Sequence, residues 1–269
     1  MSDSVVELRG LAVQRGGRAL LDVERLSFDS GGVTVVLGLN GAGKTTLLQC
    51  LLGVVRPTVG EVRVLGCRIA PRPEVSLSRL RRRIGYVPQG LAPRSEIPLT
   101  VREVVAIGRT GIAGLFRPLA RQDWDIVDAA MEQFGLADLA SRVYSSLSGG
   151  EQRKTLIAKA MVQRPEILLL DEPTANLDLF WREQIVATLE QLHAESRLTI
   201  LLVCHELEVI PACASRLLLL QKGEVVADGR PEQVLTPERV ESLNGTRRRM
   251  VAQKGRFGAM PVGGLCRDA

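Results

Sequence analysis

Aromatic side chains are scarce in this sequence, at 3% of residues. That scarcity leaves no extended stacking platform for nucleic-acid bases. Cysteine is thin as well: Cys50, Cys67, Cys204, Cys213 and Cys266 make an odd number with no closely spaced pair. Such spacing argues against a disulfide framework or a zinc module and fits a reducing compartment. Long apolar runs are missing, and "ILLLDEP" and "TILLVCH" fall far short of a bilayer span. The start, "MSDSVVELRG", is short and polar where a secretory leader would carry charge and then an apolar stretch. The expectation is a chain soluble by itself. Net charge is missing from the body too. Of the 35 Lys/Arg and 30 Asp/Glu, six basic residues and one acidic residue fall between Thr246 and Ala269, leaving 29 of each sign elsewhere. The basicity belongs to the tail, and no nucleic-acid partner is expected.

What is present is the composition of an ordinary globular protein: 269 residues, 45% hydrophobic and 24% charged. Short β-like runs come first, "VVELRGLAVQ", "RLSFDS" and "VTVVLG", followed by "EVRVLG" and by "RRIGYVPQ", which Pro88 stops. From about 90 to 162 the pattern turns helical. In "RQDWDIVDAAMEQFGL", Trp124, Val127, Met131 and Phe134 share one stripe, and Gly135 ends it. Two uninterrupted apolar strands follow, "EILLLD" and "LTILLVCH", separated by the helix "DLFWREQIVATLEQLHAES". Such alternation implies a parallel sheet covered on both faces, an α/β fold. "RLLLLQKGEVVADG" reads as a hairpin turning at Lys222-Gly223. The expected division is one domain over 1–245, with a helical portion at about 90–162, and a basic, poorly ordered tail over 246–269, where Gly, Pro and Arg show no periodicity.

"VTVVLGLNGAGKTTLLQCLLG" is strand, glycine loop, helix. Gly38, Gly41 and Gly43 permit a close backbone approach that side chains would block. The loop of Gly38, Leu39, Asn40, Gly41, Ala42, Gly43, Lys44, Thr45 and Thr46 then turns N–H groups and a helix N-terminus toward a polyphosphate. Lys44 adds positive charge and Thr45 offers a hydroxyl to Mg²⁺. A glycine turn alone would serve only to join strand to helix, but here both flanks match the mechanism. "ILLLDEP" ends a buried strand in Asp171, a second oxygen for the metal, and Glu172, a general base for the attacking water. His205 closes the next strand, where it would hydrogen-bond a terminal phosphate and hold the water in line. His193, on a charged helix, reads as structural. Gln89, after another short strand, is placed to touch Mg²⁺ or the γ-phosphate, on a weaker local signal. In "SSLSGGEQRK", Ser148 and Glu151 form a capping box that opens a helix, which structure alone explains.

Taken in order, "GLNGAGKTT", Gln89, "LSGGE", "ILLLDEP", "ANLD" at 175–178 and His205 resemble the ATP-binding cassette family, the nucleotide-binding subunits of ABC transporters. The resemblance covers about 5–243. It implies a P-loop NTPase fold of the ABC type, with an antiparallel β portion and a helical insert, that binds ATP with Mg²⁺. It also implies a head-to-tail dimer with a second copy or another ABC ATPase, in which Ser148, Gly149 and Gly150 cap the γ-phosphate held by the partner's glycine loop. Two departures stand out. Arg15 occupies the place where the family stacks an aromatic on adenine, and a guanidinium plane can also stack on a base. Glu206 follows the switch histidine where Asp is commoner.

The resemblance further implies an ATPase at the cytoplasmic face of the cell membrane. It would be held there through an integral membrane permease and served indirectly by a substrate-binding protein. The insert, with "V..GR" ahead of a "D...V..A" helix, looks like that of cassettes serving metal ions or metal chelates such as iron–siderophores, haem, cobalamin, zinc and manganese. A soluble cassette ATPase is the alternative. DNA-repair cassettes need a long coiled coil between the ATP motifs, and no sustained heptads occur here. Translation cassettes carry two such domains in one chain. Iron–sulfur cluster assembly stays open.

Overall fold

The computed structural model describes residues 4–70, 73, 76–90, 98–114, 117–244, 248–253 and 256–261. Two long antiparallel strands open the chain, β1 (Ser4–Arg15) and β2 (Arg18–Asp29). The second starts well before "RLSFDS", because Leu21 and Val23 alternate into the core along with Leu26 and Phe28. β3 (Val33–Leu37), with all five residues buried, leads through the glycine loop into α1 (Lys44–Leu51). β4 (Val59–Val64) and β5 (Cys67–Ala70) complete a four-stranded sheet in the order β2-β1-β4-β5. A short α2 (Leu77–Arg81) precedes β6 (Ile84–Val87). Neither β5 nor α2 has a sequence pattern long enough to announce it.

Three helices form the insert: α3 (Val101–Ala113), α4 (Arg121–Gln133) and α5 (Gly149–Met161). On α4 the expected stripe buries Val127, Met131 and Phe134, while the Arg102 guanidinium sits 4.4 Å over the Trp124 ring. Arg109 ties the bundle together, donating to Asp123 Oδ1 at 2.9 Å and to the Val162 carbonyl at 3.0 Å. Then follow β7 (Ile167–Asp171), α6 (Leu179–Glu195), β8 (Thr199–Cys204), β9 (Arg216–Gln221), β10 (Glu224–Gly229), α7 (Pro231–Val234) and α8 (Pro237–Asn244). The second sheet runs β10-β9-β3-β8-β7-β6, parallel except for β10 at one edge. The β9–β10 turn falls at Lys222-Gly223, both with positive φ, as a tight hairpin requires.

Alternation along the central strands divides the core. Val35, Leu168, Leu170 and Leu202 face the insert and α6, while Val36, Leu169, Leu201 and Val203 face α1 and the antiparallel sheet. Both faces of the parallel sheet are thereby covered.

Within the stretch read as a basic tail, Arg248–Gln253 and Arg256–Pro261 pair as an antiparallel hairpin, β11 and β12, while 262–269 lie outside the described residues. Phe257 buries itself in the same core as Leu189 and Val240, and Arg256 Nη2 reaches Glu190 Oε2 at 3.1 Å. One ring among arginines and glycines anchors the segment, a contact that average composition does not register. Cys266 lies outside the described residues, and the other four cysteines are free thiols.

Candidate active site at the carboxyl edge of the parallel sheet

Four strands of the parallel sheet release the chain at one edge. β3 enters the glycine loop, β6 runs into Pro88 and Gln89, β7 ends at Asp171, and β8 ends one residue before His205. The register places Leu37 beside Cys204 and Asp171 beside Val203, so the motif residues arrive at a common level. A cleft of about 270 Å³ is lined by Asn40, Gly41, Gly43, Lys44, Thr45, Thr46, Gln89 and Glu172, while Asp171 and His205 reach it only through their contacts with Thr45 and Glu172. A larger groove of about 550 Å³, edged by Val5, Met161, Arg164 and Leu198, lies at the opposite edge of the sheet and holds none of them.

Gly43 has a φ of 103° and stands against the Leu20 carbonyl, so a side chain there is excluded by backbone and by space alike. Its carbonyl starts α1 by accepting from the Leu47 N–H at 2.9 Å. The loop is clasped from below, where Gly223 N–H donates to the Ala42 carbonyl at 2.9 Å. Lys44 is 5% exposed and has three oxygen partners: the carbonyls of Gly38 and Leu39 at 2.8 and 3.0 Å, and Glu172 Oε1 at 3.1 Å.

Glu172 follows β7 with a φ of 47°, a left-handed conformation that costs about 1 kcal/mol or more in a residue other than glycine. Its N–H still donates to Val203 at 2.9 Å. Its carboxylate gathers the other motifs: Oε2 accepts from Gln89 Nε2 at 2.8 Å and lies 3.2 Å from His205 Nδ1. Asp171 accepts from Thr45 Oγ1 at 3.1 Å. Burial, and then the Glu172 charge, push the Asp171 carboxyl above the usual range, against the Thr45 hydroxyl and Lys44, which pull it down. A buried carboxylate short of compensating charge, next to a hydroxyl and a glutamine amide, is a set of hard oxygen donors. It fits Mg²⁺, which takes few protein ligands and keeps several waters.

Some predicted residues stand elsewhere. Leu39, 47% exposed, does not line the cleft, and neither do Gly38 and the buried Ala42. Arg15 is exposed at the end of β1, opposite Arg18, and does not line the cleft; Leu20 does. Ser148 and Gly149 are exposed at the start of α5 and do not line their own chain's cleft, with the capping box formed as expected: Ser148 N–H and Oγ donate to Glu151 at 2.8 and 2.7 Å. Gly150 is buried under the Trp181 indole, so close that a Cβ would collide with the ring.

Two further residues escaped the sequence reading. Tyr86 hydrogen-bonds Asp171, and burial together with that charge pushes its phenol up to about 12. Arg153, 2% exposed, donates from both guanidinium arms to the carbonyls of Pro88 and Gln89, at 2.6 and 2.7 Å. Its only sequence signal is a charge on the inward face of α5, between Gly150 and Leu156.

The model of the family described as "ABC transporter" matches residues 21–175, more than half of the chain. The chain belongs to the ABC transporter family. Among its relatives, the hemin import ATP-binding protein HmuV of Bordetella avium is 35% identical over 248 residues, covering 89% of this chain and 92% of that one. The ferric enterobactin transport ATP-binding protein FepC of Escherichia coli is 34% identical, covering 92% and 90%. The phosphonates import ATP-binding protein PhnC 2 of Nostoc is 37% identical, covering 85% and 94%. A solved metal-chelate type ABC transporter in an inward-facing conformation superposes with a TM-score of 0.80 at 27% identity, covering 96% of both chains. This cassette is therefore an ATP-binding, ATP-hydrolysing subunit of an import-type ABC transporter. Among its described residues no helix is long and apolar enough to cross a membrane.

Proposed function

We propose that two copies of this cassette close head to tail around two ATP molecules, each site combining the glycine loop of one copy with Ser148–Gly150 of the other. The observation that carries this reading is the exposure of Ser148 and Gly149 away from the cleft of their own chain. Leu179 and Phe180, 68% and 62% exposed, extend the same surface: Phe180 stands edge-on to Trp181, which covers Gly150. Large apolar side chains left in water beside a polar turn suit a face that a partner buries. A solved cassette bound to ADP and phosphate in a dimeric, post-hydrolysis state superposes with a TM-score of 0.72 at 27% identity.

In this reading the triphosphate takes the loop N–H groups and the Lys44 ammonium, which then leaves Glu172. The freed carboxylate accepts a proton from the attacking water as oxygen joins the γ-phosphorus and the bond to the β-phosphate oxygen breaks. Thr45, Asp171 and Gln89 would hold Mg²⁺, which when bound offsets the phosphate charge. His205 holds the water and γ-phosphate in line. The subunit sits at the cytoplasmic face of the membrane through a permease that meets the insert near Gln89, with a substrate-binding protein delivering cargo to that permease. The cargo class best supported is a metal chelate, from the insert's resemblance and from the relatives serving hemin and ferric enterobactin.

The test is Glu172→Gln. The variant binds ATP, loses turnover and elutes as a dimer when saturated with ATP; a monomer that still hydrolyses would overturn the reading. Cargo is settled with the co-purified permease in vesicles, where a ferric chelate and not a phosphonate drives uptake. Uptake of the phosphonate alone defeats the metal assignment.

A further inference from the structure

Glu206 is longer by one methylene than the aspartate common after the switch histidine, and the structure uses that length. Its two oxygens face different partners. Oε2 pairs with Arg182 on the first turn of α6, and Oε1 lies 3.6 Å from His205 Nε2. The other side of the imidazole, Nδ1, is 3.2 Å from Glu172 Oε2. Arg182 in turn donates from Nε to the Leu177 carbonyl at 2.8 Å, so one guanidinium grips both the 175–178 loop and the acid behind the histidine. Arg182 and Glu206 are roughly seven-tenths covered, a setting in which a charged pair is held more firmly than on an open surface.

We propose that Arg182 is a positioning residue for ATP hydrolysis. Through Glu206, whose carboxylate stands 3.6 Å from Nε2, it limits where the His205 ring can sit, and through Leu177 it makes that placement depend on the loop leading to the interface. Neither residue touches the cleft. Each acts on the histidine, and the histidine acts on the reacting groups. The consequence is a cassette whose histidine is in line only when the 175–178 loop is in its proper place. This inference rests on the roles given above to Glu172 and His205.

The experiment compares ATPase kinetics of the full-length chain for Arg182→Met, Arg182→Lys, Glu206→Gln, His205→Ala and the double variant Arg182→Met/His205→Ala, with melting temperature recorded for each. The expected result is a kcat lowered about tenfold in Arg182→Met, while KM for ATP changes less than about threefold, in keeping with coupling energies seen between contacting residues. Glu206→Gln behaves alike, and Arg182→Lys recovers part of the loss. In the His205→Ala background the Arg182 substitution has no further effect, because its target is gone. Full activity in Arg182→Met beside a dead His205→Ala overturns this inference alone, as does a loss that multiplies undiminished in the double variant. Full activity in both His205→Ala and Glu172→Gln removes the underlying reading and this inference with it.

Discussion

Lys44 is held by two backbone carbonyls and by a carboxylate with 6% of its side chain exposed, so nucleotide must replace all three contacts. Lys44→Ala therefore weakens ATP binding about tenfold to a hundredfold, the worth of one or two charge-assisted hydrogen bonds, measurable by calorimetry. Unchanged affinity would separate the lysine from the phosphate. Gly150 makes a different case. Its neighbour is an indole, so Gly150→Ala pushes Trp181 aside, costs about 1–3 kcal/mol by overpacking, and lowers both melting temperature and ATPase rate. The two glycines of the turn were equal in the sequence, where both served an anion site. Only the fold distinguishes Gly149, exposed, from Gly150, which is needed for close packing in its own chain. Lys44, Thr45, Asp171 and Glu172 were legible because strand ends and a helix start fix their positions locally. Arg153 and Tyr86 were not, since each acts on a segment far away along the chain.

At the scale of elements, the insert depends on Arg109, which joins α3 to the start of α4 and the end of α5. The hydrogen bond from Arg109, with that from the Ala120 N–H, holds the Asp123 carboxyl below its ordinary range. A lowered folded pKa stabilises above the value for an unfolded Asp, about 3.9, and that stabilisation is lost as pH falls through the folded value. Arg109→Ala accordingly lowers the melting temperature by several degrees at neutral pH, and the gap to the wild type narrows as the acid limb is approached. A gap independent of pH would mean that the loss comes from the Val162 contact alone. Apolar periodicity revealed α4, β7, β8 and the β9–β10 hairpin, because each buries a regular stripe. It missed β5 and α2, which are too short to show one, and the first half of β2, where the alternation of Leu21 and Val23 with Asp22 and Glu24 spans too few residues to stand out.

For the molecule as a whole, the proposed division of each site between two copies gives a test with mixed dimers. Ser148→Arg on one chain and Lys44→Ala on the other place both defects in one composite site and leave its twin intact. Such a dimer retains more ATPase activity than one made of two copies of the chain carrying both substitutions, where neither site is whole. Equal activity would refute the shared arrangement. The tail shows the limit of reading global structure from composition. A stretch classed by its Arg and Gly content is a hairpin because one ring, Phe257, reaches the interior, and whether it can do so depends on α6 and α8 already being in place.

The guanidinium of Arg153 makes α5 and the end of β6 a single stiff strut. The serine that opens α5 stands a turn from that residue, and the two carbonyls it grips belong to Pro88 and Gln89. Gln89 also lines the nucleotide cleft, so the strut links that pocket to the serine turn. A push on the Gln89 end of the strut is thereby carried to the Ser148 end, the turn that the proposed second copy would meet.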